Sequence, residues 1–399
     1  MTEPFSNSGG AVAGFDLTAE QRELRDAAQR YFMDRLQPLQ QRMDDEEWWP
    51  AEAFAELGEM GYCGLTVAGE YGGQDLDMLT AGLICEVMSE ANHAFALSWA
   101  AHDNLCLNNI YRNGNEAQRR RYLPDLCSGA KIGALGLTEP GAGSDALGSM
   151  ATTARRDGER FLLNGRKLYI TNGPVADVLL VYAKTSPEHG AKGISAFIVE
   201  REFPGFQVAQ KLDKMGFRGS TTAELLFDDC VVPAENLVGE ADAGVAVVMS
   251  GLDLERAMVA PICVGMAARA LDLAVDYARQ REQFGRPIAD FQMVQAKLAE
   301  MYVRVETART FTYRTLAACE GLEVGGGGRG ELHKLTAAAI YYAAEVCSQV
   351  VADAVQIFGG AGYMREMEVN RLYRAAKLME IGAGTQEVRK IIIAQELLA

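Results

Sequence analysis

One acidic residue of this chain lies in an apolar stretch where a carboxylate could move a proton. Glu255 stands in the run MSGLDLERAMVA (249–260), beside Asp253 and Arg256. A carboxylate held in a dry site has a raised pKa and can act as a general base near neutral pH. Glu255 could equally pair with Arg256 or face water, since perturbed carboxylates are uncommon outside functional sites. The run by itself leaves both roles open.

Two stretches in the middle of the chain carry groups that could bind a ligand. LTEPGAGSDA (137–146) contains glycines that let the backbone approach a ligand, and Thr138 and Ser144 offer hydroxyls. KLYITNG (167–173) places an aromatic residue and a threonine at the end of a predicted strand. Each stretch has an ordinary interpretation, the first as a polar turn and the second as a strand terminus.

Three stretches in the last third could serve a similar site: REQFGRPIADFQ (281–292), QIFGGAGY (356–363) and EIGAGTQEVR (380–389). Arg281 and Gln292 could bind an anion and a polar ring edge, or could form surface contacts. The paired glycines of the second stretch could admit a backbone contact or end a helix. Residue types alone do not decide between these interpretations.

The elements that must position these stretches change along the chain. Thr18 and Gln21 form the capping-box pattern of a helix start, and apolar residues then recur at helical spacing to about residue 130. Short β-rich runs bounded by turn residues follow, and Asn164-Gly165 predicts a hairpin turn. Helices then return and persist. The order predicts an α+β fold with helices, then strands, then helices.

The predicted domain boundaries follow these changes of pattern. They are a disordered tail (1–15), a helical domain (16–132), a middle β domain (133–238) and a C-terminal helical bundle (239–399). The glycine-rich run EGLEVGGGGRGE (320–331) is interpreted as a flexible connection between two helices.

Composition argues against several classes of protein. The 399 residues are 49% hydrophobic, which is enough for more than one domain, and a net charge of −16 disfavours binding to nucleic acid. None of the eight cysteines forms a C-x-x-C pair, so no zinc site or redox dithiol is expected. No signal-like start and no long uncharged apolar run are found, so we expect a cytoplasmic protein without membrane insertion.

Taken together, the order and spacing of these stretches resemble the acyl-CoA dehydrogenase family of flavoproteins, from about residue 16 to 399. Four stretches of the chain resemble the isovaleryl branch of this family: AHDNLCLNNIYRNGNEAQRRRYLP, KLDKMGFRGS, MSGLDLERA and EIGAGT. The resemblance implies a barrel-like middle domain, a C-terminal four-helix bundle and a homotetramer. It also implies FAD as the cofactor, an acyl-CoA substrate and an electron-transferring flavoprotein as electron acceptor.

The resemblance also assigns a cofactor site. The residues expected around the flavin ring are Leu135, Leu137, Thr138, Gly143, Ser144, Tyr169, Ile170 and Thr171. Those expected at the pyrophosphate and adenosine, across a subunit boundary, are Arg281, Phe284, Gln292, Gln356, Gly359 and Gly360. Thr385, Gln386 and Glu387 complete the set. Tyr169 stands where a tryptophan is common in the family.

The reaction implied by the resemblance is α,β-dehydrogenation of an acyl-CoA, in which a base removes the α-proton. Many family members carry that glutamate where this chain has Ala383, in IGAGT. The isovaleryl branch takes its base from the LDLER helix, so the resemblance makes Glu255 the catalytic base. Residue 383 keeps a backbone N–H for the thioester oxygen.

The substrate site implied by the resemblance contains Leu97, Ala101, Ser144, Asp253, Arg256, Ala383 and Gly384. The missing side chain at 383 leaves room for a branch at C3 of the acyl group, so we expect isovaleryl-CoA as substrate and a role in leucine breakdown. Leu97 and Ala101 could also be plain helix core.

Three alternatives remain at this stage. The chain could dehydrogenate another short acyl-CoA, or could be a flavin oxidase or monooxygenase on the same scaffold. A non-enzymatic scaffold is the third alternative, although the complete set of site residues argues against it.

Overall fold

The N-terminal part of the fold is helical. The computed structural model describes residues 17–320 and 328–399, so the predicted tail and most of the predicted flexible connection lie outside the described residues. Thr18 caps the first helix through a capping box with Gln21, as predicted. The helices of this part are α1 (Ala19–Arg35), α2 (Gln40–Glu46), α3 (Ala51–Glu59), α4 (Met78–Ala100), α5 (Asn108–Asn113) and α6 (Glu116–Cys127).

Helix α4 runs through the interior and is buried on nearly all sides. Asn92 interrupts its helical dihedral angles, and its side chain accepts from the N–H of Phe95 in the same helix and donates to the carbonyl of Leu36 at the end of α1. The helix continues into a π-helical segment, Ala101–Leu107. Such segments are rare in proteins, and those that occur are often found at functional sites.

The middle part of the described chain is an eight-stranded sheet. The strands are β1 (Gly133–Gly136), β2 (Thr153–Asp157), β3 (Arg160–Thr171), β4 (Val178–Lys184), β5 (Ile194–Glu200), β6 (Phe206–Lys211), β7 (Thr222–Pro233) and β8 (Leu237–Val238). Their order in the sheet is β6-β7-β3-β2-β4-β5-β8, and β1 pairs in parallel with β4. The runs predicted as strands at 178–184, 194–200 and 223–232 are confirmed as β4, β5 and part of β7.

The predicted hairpin turn at Asn164-Gly165 is wrong. Both residues lie inside β3, which continues past them, and the register with β7 shifts between Leu163 and Gly165. Gly165 has a φ of 149°, which a bulge tolerates, and Asn164 bonds the backbone and side chain of Asp229 on the neighbouring strand. The turn lies earlier, at Gly158, because Asp157 pairs with Arg160.

The C-terminal part is a helical bundle. Its elements are α7 (Gly244–Gln280), β9 (Glu282–Gln283), β10 (Arg286–Pro287), α8 (Gln292–Ala318), α9 (Gly330–Phe358), α10 (Glu368–Met379) and α11 (Gln386–Leu398). Helix α7 is central and packs against α9, α4 and α8. By length and composition alone α7 and α9 could cross a membrane, but 72% and 61% of their apolar windows are buried inside the fold. Core helices of a soluble protein share this property, and the absence of membrane insertion stays a prediction.

Candidate functional site

Glu255 lies in the buried part of α7, where every residue from 253 to 268 is buried. Its side chain does not pair with Arg256. The Arg256 guanidinium instead lies 3.2 Å from Asp253 Oδ1 and 3.4 Å from His333 Nδ1. Asp253 is itself fully buried, with His333 Nδ1 at 2.6 Å and an N–H bond from Gly328. Asp253 and Arg256 therefore pair with each other and not with Glu255, although the buried Nε of Arg256 has no hydrogen-bond partner among the described residues.

The Glu255 carboxylate is buried without a hydrogen-bond donor from the described residues. Burial raises its pKa from the ordinary 4.5 to about 7, although the charges of Arg256 and Arg389 act in the opposite direction. A carboxyl group with that pKa is partly ionised near neutral pH and can take up a proton. This is the chemistry required of a general base.

The loop of residues 380–385, between α10 and α11, has an unusual backbone at Ala383. Its φ is 54°, a left-handed conformation that costs energy for a residue with a side chain. The Ala383 N–H makes no backbone hydrogen bond in the described chain, whereas the N–H groups of Ile381 and Gly382 both bond to Leu378. Among the described residues, Ala383 therefore offers an N–H without a backbone acceptor, as do Gly384 and Thr385.

The loop 137–144 is held in place by a buried ion pair. Lys167 Nζ lies 2.7 Å from Glu139 Oε1 and 3.1 Å from the carbonyl of Leu137. Glu139 also accepts from the N–H groups of Ala151 and Thr152. Burial raises the pKa of Glu139, but Lys167 and the hydrogen bonds outweigh it and the pKa ends below its usual value. This carboxylate fixes the loop and has no capacity left for chemistry.

The strand beside this loop is bulged where the site is expected. The register of β3 with β7 shifts between Lys167 and Ile170, and the N–H of Leu168 bonds to the carbonyl of Thr138. Tyr169 has a φ of 62° and is 67% exposed. Bulges and strained residues are frequent beside active sites, where they re-aim side chains. The aromatic ring is thus presented to the outside of the sheet.

The other residues predicted at the flavin ring share this region. Leu137 and Ile170 are buried, Leu135, Thr138 and Thr171 are half-buried, and Gly143 and Ser144 are exposed. A β-carbon built on Gly141 or Gly143 would meet nothing in the described chain. Open space, exposed hydroxyls and a presented aromatic face fit a flat polar ring system such as a flavin.

The residues predicted for the pyrophosphate and adenosine lie on the surface of the bundle. Phe284 is 94% exposed with a φ of 53°, and the remaining ones, Arg281, Gln292, Gln356, Gly359 and Gly360, are exposed as well. No hydrogen bond or ion pair within the described chain joins them to the loop 137–144 or to Tyr169. A single chain does not bring the two halves of the predicted cofactor site together by direct bonds.

Three predicted cofactor residues lie at the start of α11. Thr385 caps the helix by accepting from Val388, Gln386 donates to the carbonyl of Tyr341, and Glu387 is exposed. Gly384 follows Ala383 with a φ of 91°. Leu97 is half-buried near the end of α4, and Ala101 is buried and begins the π-helical segment.

Sequence reasoning missed three groups that shape the site. These are the Lys167–Glu139 ion pair, the contact of His333 with Asp253, and the fully buried Arg389. A lysine alternating with apolar residues on a strand was the available signal for the first pair. His333 and Arg389 gave no local signal, because their partners lie on other elements.

Comparisons with known proteins agree with this arrangement along the whole chain. Models of the acyl-CoA dehydrogenase N-terminal, middle and C-terminal domains match residues 18–130, 134–230 and 242–398. The mitochondrial isovaleryl-CoA dehydrogenase of Pongo abelii is 45% identical over 95% of this chain and 89% of its own. A mitochondrial 2-methylacyl-CoA dehydrogenase of Solanum tuberosum is 42% identical over 94% of this chain and 90% of its own.

Solved structures are similar over the same length. Butyryl-CoA dehydrogenase from Megasphaera elsdenii superposes with a TM-score of 0.92 at 38% identity, covering 96% of this chain and all of the other. An FAD complex of PigA superposes with a TM-score of 0.90 at 30% identity, covering 96% of this chain and 98% of the other. Since relatives above 40% identity cover almost the whole chain, this protein belongs to the acyl-CoA dehydrogenase family of oxidoreductases.

Proposed function

We propose that this acyl-CoA dehydrogenase oxidises isovaleryl-CoA to 3-methylcrotonyl-CoA, in leucine breakdown, with Glu255 as the catalytic base. The observation that carries the proposal is the state of the Glu255 carboxyl group, which is buried and lacks a hydrogen-bond donor among the described residues, so that its pKa is about 7. A base of that pKa suits proton removal from a weakly acidic α-carbon near neutral pH.

The thioester oxygen gains negative charge as the α-proton leaves, and a preaimed donor stabilises it. The unused N–H of Ala383 supplies that donor. When bound, FAD, the general cofactor of the family, would supply the acceptor for the β-hydrogen. The loop 137–144 and the face of Tyr169 would hold its ring, and Ser144 and Arg256 would contact the thioester part of the substrate.

Preference for a branched acyl group rests on the small side chain of Ala383, with Leu97 and Ala101 facing the acyl end. Similarity to a 2-methylacyl-CoA dehydrogenase supports a second candidate, a short acyl-CoA branched at C2. Both substrates require the same base and the same donor.

The functional unit of the proposal is a homotetramer. Arg281, Phe284 and Gln356 of one subunit complete the cofactor site of another, in keeping with their exposure. Apolar side chains exposed on the bundle include Phe284 at 94%, Met293 at 84% and Tyr363 at 79%, which favours burial in an interface. Electrons pass to an electron-transferring flavoprotein, and we place the enzyme in the cytoplasm, where its eight buried cysteines stay reduced.

The test is an anaerobic spectral titration of the purified protein with isovaleryl-CoA, 2-methylbutyryl-CoA, butyryl-CoA and octanoyl-CoA. Selective bleaching of the flavin absorbance by isovaleryl-CoA is the expected result. Bleaching only by another substrate would replace isovaleryl-CoA and keep the reaction. Rapid reoxidation of the bleached protein in air would instead indicate an oxidase. Sedimentation in solution tests the tetramer.

A further inference from the structure

Arg389 is a fully buried cation without an anionic partner within salt-bridge distance among the described residues. Its guanidinium donates instead to the carbonyls of Met379 at 2.9 Å and Gly382 at 2.5 Å, and to the side-chain oxygen of Gln386 at 2.7 Å. Burial lowers the pKa of Arg389 only to about 10, so the group is charged at neutral pH. Burying a charge is costly unless it is paired with an opposite charge. A buried arginine that is bound only by neutral oxygen atoms therefore calls for a structural or functional reason.

The carbonyls that Arg389 binds belong to the end of α10 and to the loop that follows it. Carbonyls at the end of a helix lack partners within the helix and need donors from elsewhere. By binding Met379 and Gly382 together, Arg389 fixes the chain immediately before Ala383, where φ turns positive. A strained residue keeps its conformation only when its surroundings determine it strongly. By these two hydrogen bonds Arg389 helps to hold Ala383 in its left-handed conformation, with the N–H of Ala383 available as a donor.

Arg389 also acts on Glu255 through space. Its positive charge lowers the pKa of Glu255, although no hydrogen bond joins the two residues. The other ionisable groups that face this pair are Arg256 and Cys263 on α7, Glu380 in the loop and Tyr182 on β4. A cation near a carboxylate but not bonded to it favours ionisation and leaves the oxygens free to take a proton.

We propose that Arg389 is a positioning residue, which holds the loop of residues 380–385 so that the Ala383 N–H faces the thioester oxygen, and whose charge supports the ionised form of Glu255. The proposal rests on the proposed function and adds a residue through which the donor and the base are linked. Arg389 touches neither substrate nor cofactor in this role.

The test compares Arg389→Lys, Arg389→Met and the control Lys390→Met in the holoenzyme. Lys390 is the next residue of α11, exposed, with its ammonium 5.3 Å from the ring of Tyr341. Arg389→Met loses both the loop contacts and the charge, so we expect kcat to fall about 100-fold, the scale of a lost oxyanion donor. The acid limb of its kcat/KM profile should move to higher pH, because Glu255 then ionises less readily.

Arg389→Lys keeps the charge but cannot bind three acceptors in the same planar arrangement. We expect kcat to fall about tenfold with the acid limb unmoved. The second readout needs no turnover. The ¹³C resonance of 3-methylcrotonyl-CoA labelled at its thioester carbonyl should shift downfield on binding to the wild type and to Lys390→Met, and less on binding to either Arg389 variant. Should Arg389→Met not fold, Arg389→Lys decides the question by its kcat and its ¹³C shift.

Both Arg389 variants matching Lys390→Met in kcat, pH profile and ¹³C shift would overturn the proposal, even if Glu255 proves to be the base. Failure of the proposed function looks different, because Glu255→Gln would then keep its turnover while Arg389→Lys still reduces the ¹³C shift. The two hypotheses can therefore fail separately.

Discussion

Glu139 in the middle domain and Glu255 in the C-terminal bundle are both buried glutamates, yet their surroundings shift their pKa values in opposite directions. Glu139 has Lys167 and two backbone N–H groups as partners, and its pKa ends below the usual value. Glu255 has no hydrogen bond from the described residues, and burial raises its pKa to about 7. Burial acts on both carboxyl groups in the same direction, so the partners decide the outcome.

The difference separates two uses of a buried acid. A carboxylate with all its oxygens occupied stays ionised, fixes a loop and takes no part in proton transfer. A carboxylate without donors is held at a cost to stability, but its pKa lies where a base is useful. The chain uses the first to shape the proposed cofactor loop and the second to provide the proposed base.

The largest expected effect is on turnover. Glu255→Gln keeps the size of the side chain and removes the base, so we expect kcat to fall about 1,000-fold, within the range of general-base catalysis, with the flavin retained. Steady-state assays with isovaleryl-CoA and the flavin absorbance measure both. The control is Glu380→Gln, whose carboxylate lies in the neighbouring loop and pairs with Lys377. Wild-type turnover in Glu255→Gln would move the base elsewhere, with Glu380 and Glu387 the next candidates.

The second largest expected effect is a loss of protein stability when Glu139 loses its ion-pair partner. Lys167→Met leaves Glu139 buried with only its backbone donors, and breaking a buried pair costs about 3 kcal/mol. Chemical denaturation should show this loss together with weaker retention of the flavin. Arg166→Met is the control on the same strand, because Arg166 is itself exposed in its ion pair with the half-buried Glu224, and this pair should contribute little. Equal effects of the two substitutions would mean that the buried pair does not hold the loop.

A third prediction concerns the pH dependence of stability. The folded-state pKa of Glu255 is raised, so the contribution of this one group to the free energy of unfolding falls by roughly 3 kcal/mol as pH rises from about 4.5 to 7. Glu255→Gln has no such loss and should have the higher unfolding temperature at pH 8, with the gap nearly closed at pH 5. Glu139→Gln should lower the unfolding temperature at pH 8. A destabilised Glu255→Gln at pH 8 would mean that the carboxylate is not held at a cost.

The smallest expected effect is a rescue. Ala383 already has a positive φ with a side chain in place, so Ala383→Glu adds no new backbone strain. In the Glu255→Gln background we expect it to restore turnover about tenfold, equivalent to about 1.4 kcal/mol. Ala383→Gln in the same background is the control, because it fills the same space without a base. Equal rates in the two double variants would show that the acyl pocket does not accept a base at residue 383.

Much of the fold could be predicted from the sequence. The capping box at Thr18, the strands β4 and β5 and the return of helices after the sheet all follow from local pattern, and the structure confirms them. Asn164-Gly165 is a case that the local pattern could not decide. The same dipeptide can form a hairpin turn or a bulge. Here it forms a bulge, because the chain has already turned at Gly158 and Asn164 bonds to Asp229 on the neighbouring strand.

The candidate site, like the fold, could be predicted from the sequence only in part. Sequence alone indicated the stretches that carry Glu255, Tyr169 and Ala383 and the family to which the chain belongs. Only the tertiary structure decided that Arg256 pairs with Asp253 instead of Glu255, that Lys167 occupies Glu139, and that Arg389 binds the loop before Ala383. The physical reason is that residue types and helical spacing are local, whereas a pKa or a free N–H depends on partners that folding brings from distant parts of the chain.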